Sequence, residues 1–555
     1  VKRIGIPLLL GGLLCGALFF SQLGELWPLL DMDLNADRGA LRQQAREFLV
    51  QRGFDLEGFD SSARLRVDSP AVEYLERTFG REAAQERLRD GFPLAYYEVY
   101  FKRRIRPDEP PPGTYRVSVL PHTGIVQWSR SLQEDEPGPR IEADAARELA
   151  IQALEQGLGQ QAADWNEISA TLTDLPERRD HRFTFERLLS EEPELRERAW
   201  VTVGGDRVTY AGRGLAVPRA AARQRVADQE PYAVLGTLGY GLVAIAVLGA
   251  FFVFIRRLRD GTIKLRRAAL FPLIAFACYM LNRALDTPAL FVNWQPLWSY
   301  AGASFQYLVF QGMFNIWIVP AMLAVIAAGD VLDRELGAGR GRSLWILARG
   351  RLWDPAVGLA SLRGFLIGLF CGGAMAAAML LLQQVGARTD LQPRGFFFFA
   401  INSSSPALAT LLFFLMVALM EELGYRFFGG SWFLKLSGRR WVAVLVPALI
   451  YGLSHTQLDF LPPAEPFWAR ALVLTLVGAV WGIAFLRYDA LTVVLSHYTA
   501  DLFIFNWTRL GSGEAGPTTV AVGTLLVPLI PALLWLGRSA FGGGATAEGP
   551  AEENS

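Results

Sequence analysis

The chain is poor in cysteine, histidine and net charge. Lys and Arg together number 54, as do Asp and Glu, so the chain is formally neutral, and that balance gives no reason to expect a nucleic-acid partner. Its three cysteines, Cys15, Cys278 and Cys371, all fall within apolar runs. None lies in the polar part of the chain, so no disulfide framework holds that part together. They read as small packing residues. Histidine occurs four times. The His-Glu-x-x-His helix, the commonest signature of zinc peptidases, is missing. Basic residues are scarce around 287–304, 385–403 and 459–466.

What is present falls into two parts, and 555 residues are too many for one ordinary domain. Residues 31–230 are polar and rich in charge; from 232 onward, apolar runs alternate with short basic segments. Ahead of both, Lys2 and Arg3 precede a long apolar run. A cleaved signal peptide opens in the same way, but no small-x-small cleavage site precedes Leu23. Residues 1–30 therefore read as an uncleaved signal anchor with its N-terminus in the cytoplasm, which places 31–230 outside.

Within 31–230 a helix-then-hairpin pattern occurs twice, at about 31–130 and 140–220. Ala36-Asp37 opens a stretch with Leu41, Ala45, Phe48 and Leu49 on one face, and Ala143-Asp144 opens another with Ala146, Leu149, Ala150, Ala153 and Leu154. Alternating segments follow each: 96–101 and 115–126 in the first unit, 182–186 and 200–210 in the second. Pro121-His-Thr-Gly124 and Gly204-Gly-Asp206 are turn signals. His122 at a turn tip and His181 at a strand start read as surface residues, and 107–112 as an exposed proline-rich connector. The order of elements, with Val-x-Val-x-Pro-x-Thr-Gly-x-Val at 117–126, resembles PepSY-type domains. These are small extracytoplasmic modules often found beside peptidases, which implies either a passive cap or a module that binds a peptide ligand.

A span needs about 20 mainly apolar residues. Segments of that kind lie near 232–255, 268–286, 305–329, 356–384, 404–430, 441–458, 467–487, 490–508 and 519–537. With the anchor, this makes a polytopic all-α membrane protein of about ten transmembrane helices, with an α+β extracytoplasmic domain between the first two. Residues 231–400 would hold helices two to five, 401–540 a second membrane unit, and 541–555 a disordered tail. Basic loops at 331–355 and 430–441 fit a cytoplasmic face, and Trp294, Trp298 and Tyr300 an aromatic belt. The expected location is a cell inner membrane, with the lipid bilayer as surroundings.

The chemistry concentrates in 401–540. Glu421, Glu422 and Arg426 lie in an apolar helix, where a central charge costs roughly 2.5–3.5 kcal/mol and therefore usually has work to do. Glu422 and Arg426, four residues apart, can pair. Glu421 is rotated about 100° away and is expected to have other neighbours. The remaining histidines, His455 and His497, also lie in apolar runs, and His497 and Asp501 share a face. Counting from cytoplasmic helix ends near 432, 441 and 490, Glu421 and Asp501 lie about 16 Å deep, His455 about 21 Å and His497 about 10 Å. These depths allow one cluster, expected to be reached from the cytoplasm. Two imidazoles and three acids on three spans argue for a site rather than for polar glue between helices.

Glu421-Glu422-x-x-x-Arg426, the aromatic-x-x-x-His that ends at His455, and His497-x-x-x-Asp501 resemble the three motifs of the CAAX protease and bacteriocin-processing (CPBP, or Abi) family of intramembrane peptidases. The resemblance covers about 400–510. It departs from the family's usual pattern at Tyr451 (usually Phe), Asp501 (commonly Asn) and Phe427 (frequently Gly). It implies an endopeptidase acting on a peptide or membrane-anchored protein. Glu421 would activate a water, His455 would orient it, and His497 would stabilise the oxyanion. Asp501 would orient His497 or, if protonated, donate to the oxyanion. Glu422 and Arg426 would be a structural ion pair. No cofactor is expected, with zinc held by Glu421, His455 and His497 as the alternative. A non-catalytic scaffold or immunity-type protein on the same fold is the competing function. A transporter is disfavoured, because the two halves lack repeated broken helices.

Overall fold

The computed structural model describes residues 6–22, 36–89, 91–105, 113–121, 123–190, 194–295, 299–389, 401–456, 464–512 and 514–541. His122, the connector 107–112, Trp298 and the tail from 542 lie outside the described residues.

The polar part folds around one eight-stranded antiparallel sheet. Its strands are β1 (Asp60–Val67), β2 (Ala95–Lys102), β3 (Tyr115–Leu120), β4 (Gly124–Arg130), β5 (Asn166–Asp174), β6 (Arg179–Ser190), β7 (Leu195–Gly204) and β8 (Arg207–Leu215). The spatial order β1-β2-β3-β4-β8-β7-β6-β5 joins two four-stranded meanders, with Trp128 opposite Ala211 at the seam. Each meander follows one helix, Arg38–Val50 or Ala143–Gln152. Asp37 caps the first by accepting from the Gly39 N–H, an ordinary N-terminal stop. Alternate residues of the strands, among them Tyr97, Val99, Val117, Phe183 and Val201, are buried in the core, as the period of two requires. Gly205, at φ 63°, makes the β7–β8 turn that a side chain would disfavour.

Several features were not legible in the alternation. β1 and β5 are strands, and the helices Ser69–Phe79 and Arg81–Arg89 stand between β1 and β2. His181 is not a surface residue: it is buried, its Nε2 lies 3.0 Å from the Ile141 carbonyl, and its ring stacks on Phe183. The strand continues on both sides of it, so alternation carries its side chain inward.

Among the described residues, seven helices are long and apolar enough to cross a membrane: Arg219–Arg259, Leu265–Leu285, Tyr300–Glu335, Pro355–Gln384, Pro406–Ser437, Trp468–Arg487 and Ala515–Ala540. Three shorter apolar helices accompany them, Ile6–Ser21, Arg440–Ser454 and Ala490–Phe505. Trp294 is buried against Phe291 and Tyr300 instead of facing a lipid boundary. Small residues set the spacing. A Cβ on Gly373 would stand 2.0 Å from the Cys15 carbonyl oxygen, and one on Gly368 would stand 2.6 Å from the Ser496 oxygen. Helix Pro355–Gln384 is thus clasped by Ile6–Ser21 on one side and by the helix bearing His497 on the other, the small-residue packing that membranes favour.

The sheet is fastened to the ends of the apolar helices. The Asn402 side chain accepts from the Leu65 N–H at 2.7 Å and donates to the Leu65 carbonyl at 3.1 Å, pairing with the edge strand β1 as another strand would. Arg38 donates to the carbonyls of Ile401, Asn402 and Ser403. Lys102 donates to Val292 and Trp294, and Arg77 bridges Glu73, Asp228 and Glu465. Residue 402 leads directly into helix Pro406–Ser437, so the sheet holds the start of the helix that carries the acids.

Candidate active site

Helix Pro406–Ser437 is α-helical to Glu421, then widens to π geometry from Glu422 to Gly430. Such turns are rare and occur frequently at functional sites. Here the widening begins at the two adjacent acids. The wheel drawn from 3.6 residues per turn gave Glu421 and Glu422 different neighbours, but both reach His497. Glu422 Oε1 lies 2.8 Å from His497 Nδ1, and Glu421 Oε2 lies 3.8 Å from His497 Nε2. Glu421 Oε1 lies 3.4 Å from His455 Nε2. Asp501 Oδ2 lies 3.3 Å from His497 Nε2. The three segments thus bring Glu421, His455, His497 and Asp501 into one cluster, with Glu421 between the two imidazoles.

Glu422 and Arg426 do pair, at 2.9 Å, and both are fully buried. The same oxygen, Glu422 Oε1, serves both Arg426 and His497. Arg426 also donates to the Gly478 carbonyl at 3.1 Å, and its guanidinium lies 4.7 Å from the centre of the Tyr451 ring and 5.2 Å from that of Trp481. Glu422 is therefore more than a counter-ion, because it fixes the orientation of His497.

The hydrogen bonds also set the tautomers. A carbonyl can only accept, so at 2.8 Å from the Tyr451 oxygen His455 Nδ1 carries the hydrogen, and Nε2 faces Glu421. His497 Nδ1 donates to Glu422, and Nε2 faces the Glu421 and Asp501 carboxylates, which only accept, so both of its ring nitrogens carry hydrogen. Each imidazole is thus held by a second group at its far nitrogen, the arrangement that orients catalytic histidines.

Several supporting residues carried no signal in the sequence beyond being aromatic or small within an apolar span. Trp481 stacks on His497 at 4.2 Å with 21° between the planes, and its Nε1 donates to Ser496. Tyr451, which the sequence did mark as the aromatic of the second motif, lies against His455, with ring centres 4.2 Å apart. Tyr425 and Ser454 share a hydrogen bond of 2.9 Å, with Ser454 3.3 Å from His455 Nδ1.

A cavity of about 60 Å³ opens onto Glu421, His455, His497 and Asp501. A water needs about 10–15 Å³ measured in this way, so water fits beside the carboxylate. The cavity continues past Phe413, Phe414, Ile504 and Phe505. Phe413 and Phe414 lie between Glu421 and the end of the helix held by the sheet, so this cavity extends toward the sheet. Helix Arg440–Ser454 ends at His455, which places that imidazole at a helix end.

Among the described residues no three His, Cys, Asp or Glu side chains are arranged to hold a metal ion. His497 Nε2 is shared between Glu421 and Asp501.

No curated protein and no solved structure matches the chain. A family model described as type II CAAX prenyl endopeptidase, Rce1-like, matches residues 403–503, the stretch that holds Glu421, Glu422, Arg426, His455, His497 and Asp501.

Proposed function

We propose that the chain is an intramembrane endopeptidase that hydrolyses a peptide bond in a membrane-associated peptide or protein. The observation that carries the reading is the Glu421 carboxylate lying between His455 Nε2 and His497 Nε2, at 3.4 and 3.8 Å, in a cavity with room for water. Glu421 takes a proton from water as the water oxygen bonds to the carbonyl carbon. His455, its Nδ1–H held by Tyr451, orients that water through Nε2. His497 donates from Nε2 to the oxyanion as the tetrahedral intermediate forms. Glu421 then passes its proton to the departing amine nitrogen as the C–N bond breaks. Asp501 holds His497 Nε2 until the carbonyl arrives.

The seven long and three short apolar helices fit ten spans in an inner membrane, with the N-terminus cytoplasmic and the sheet outside. The two meanders, each headed by a helix, fit a pair of PepSY-like units that bind a peptide or regulate the site. Glu421→Ala and His455→Ala should each abolish cleavage of a membrane-peptide reporter while the protein still inserts. Full cleavage by either variant ends the proposal. Comparing membrane proteomes of cells bearing wild type and Glu421→Gln should reveal the substrate as a precursor that accumulates.

A further inference from the structure

Glu421 stands in the wall of a second, larger cavity. This chamber of about 670 Å³ lies between helix Arg219–Arg259, helix Tyr300–Glu335 and the helix of the two acids. That is the size of a ligand site, about 300–1,000 Å³. Its walls are apolar, with Val243, Ala244, Val247, Ala321 and Val325 among them and the Tyr240 and Tyr425 hydroxyls near Glu421. Two glycine contacts close its ends. A Cβ on Gly239 would lie 2.3 Å from the Ser454 nitrogen, and one on Gly249 would lie 2.6 Å from the Trp432 ring. These contacts are ten residues apart, about 15 Å along the helix. Between them the helices stand apart.

The two cavities lie in line. The smaller one is lined by Phe414, Val417 and Glu421, the larger by Glu421, Tyr425 and Phe428. Their spacing of three or four residues makes them one stripe on the helix, with the carboxylate in the middle. A peptide bond has chain on both sides, and so does Glu421 have room on both sides. The α-helical part from Phe414 to Glu421 covers about 10 Å, which an extended peptide spans in about three residues, and the widened part carries the path on to Phe428.

We infer, resting on the peptidase reading, that the substrate is an apolar polypeptide segment lying unwound along this stripe, with large apolar side chains entering the chamber on one side of the cut bond. On the other side, the narrow cavity toward the sheet takes small side chains. Sequence preference is therefore unequal about the scissile bond, and it resides in helix Arg219–Arg259 as much as in the matched stretch.

The test uses the full chain in lipid vesicles with synthetic apolar peptides of about 20 residues, each carrying one diazirine-leucine at a different position. In Glu421→Gln, photolabelling should mark residues between Tyr240 and Phe251 from one side of the probe and the region of Phe414 and Phe505 from the other. In the otherwise wild-type chain, Ala244→Trp should fill the chamber. Cleavage of probes with Leu or Phe on the chamber side should then fall about tenfold or more, while probes with Ala there change by less than about threefold. Cleavage by wild type without chamber labelling, or an equal loss on all probes, overturns the inference and leaves the peptidase standing. Chamber labelling with no cleavage by wild type ends the peptidase reading and, with it, the unequal preference about a cut bond, and leaves only a site for apolar peptides. Labelling of the chamber by a diazirine alkyl lipid but not by the peptides assigns it to a lipid chain and also overturns the inference. If Ala244→Trp fails to insert, the labelling of Glu421→Gln decides alone.

Discussion

Glu422 offers the sharpest test of how the cluster works, because one oxygen does two jobs. Its Oε1 accepts from Arg426 at 2.9 Å and from His497 at 2.8 Å. Glu422→Gln keeps the shape and an oxygen at that place but removes the charge. Arg426, 1% exposed, then loses its counter-ion, and removing one partner of a buried pair costs about 3–5 kcal/mol. The amide nitrogen takes the place of Oε2, which is buried and has no hydrogen-bond partner among the described residues. A desolvated donor there adds about 1–3 kcal/mol. The Tyr451 and Trp481 rings at 4.7 and 5.2 Å face the guanidinium in both proteins, so they leave the difference unchanged. The sum is a loss of about 4–8 kcal/mol in unfolding free energy.

The second job separates from the first in the double variant Glu422→Gln, Arg426→Met. With both charges gone, no ion is left unpaired, and such replacements are often close to neutral. Unfolding in detergent should return to within about 2 kcal/mol of wild type. Activity should not return, because His497 Nδ1 has still lost its carboxylate. We expect kcat to stay reduced by about 100-fold or more in both variants, the scale of a misplaced general acid–base group. Recovery of kcat together with stability would mean that Glu422 serves Arg426 alone and that His497 is oriented by something else, such as its stack on Trp481.

Three further outcomes follow from other contacts. Asp501→Asn should keep cleavage within about tenfold, since an amide still accepts from His497 and can donate to an oxyanion, whereas Asp501→Leu should lose about 100-fold or more in kcat. Asn402→Ala strips Leu65 of both its side-chain hydrogen bonds, at about 1–3 kcal/mol for buried groups left unpaired, and hydrogen exchange at β1 should accelerate while the other strands stay protected. Chelators should leave the rate of cleavage unchanged; loss on chelation with rescue by zinc would place a metal at Glu421, His455 and His497 after all.

What the sequence made legible, and what it hid, follows from range. The apolar runs and the four-residue spacings of Glu422–Arg426 and His497–Asp501 are local, so a periodicity read in one dimension finds them. Strand β5 escaped because it is exposed along its whole length, and a strand with no buried face has no alternation to read. His181 escaped because its strand begins before it, and only the pairing of Asp180 with Gly204 and of His181 with Val203 fixes which way it points.

The same limit explains why the contact between Glu422 and His497 was not foreseen. On a regular helix, adjacent residues diverge by about 100°, so two neighbouring acids should not serve one imidazole. They do so because the helix widens at Glu422 and because Gly364 and Gly368 let the neighbouring helix approach until their Cβ positions would strike the Thr492 and Ser496 oxygens at 2.9 and 2.6 Å. Those glycines lie more than a hundred residues from His497 in the chain and carry no chemistry of their own. Gly368→Ala should therefore move His497 away from both acids, with overpacking of about 1–3 kcal/mol. Cleavage should fall further than stability does, because a displacement of about 1 Å at reacting groups can cost about 100-fold. A Gly368→Ala protein that loses stability but keeps kcat would show that the position of His497 does not depend on this close approach.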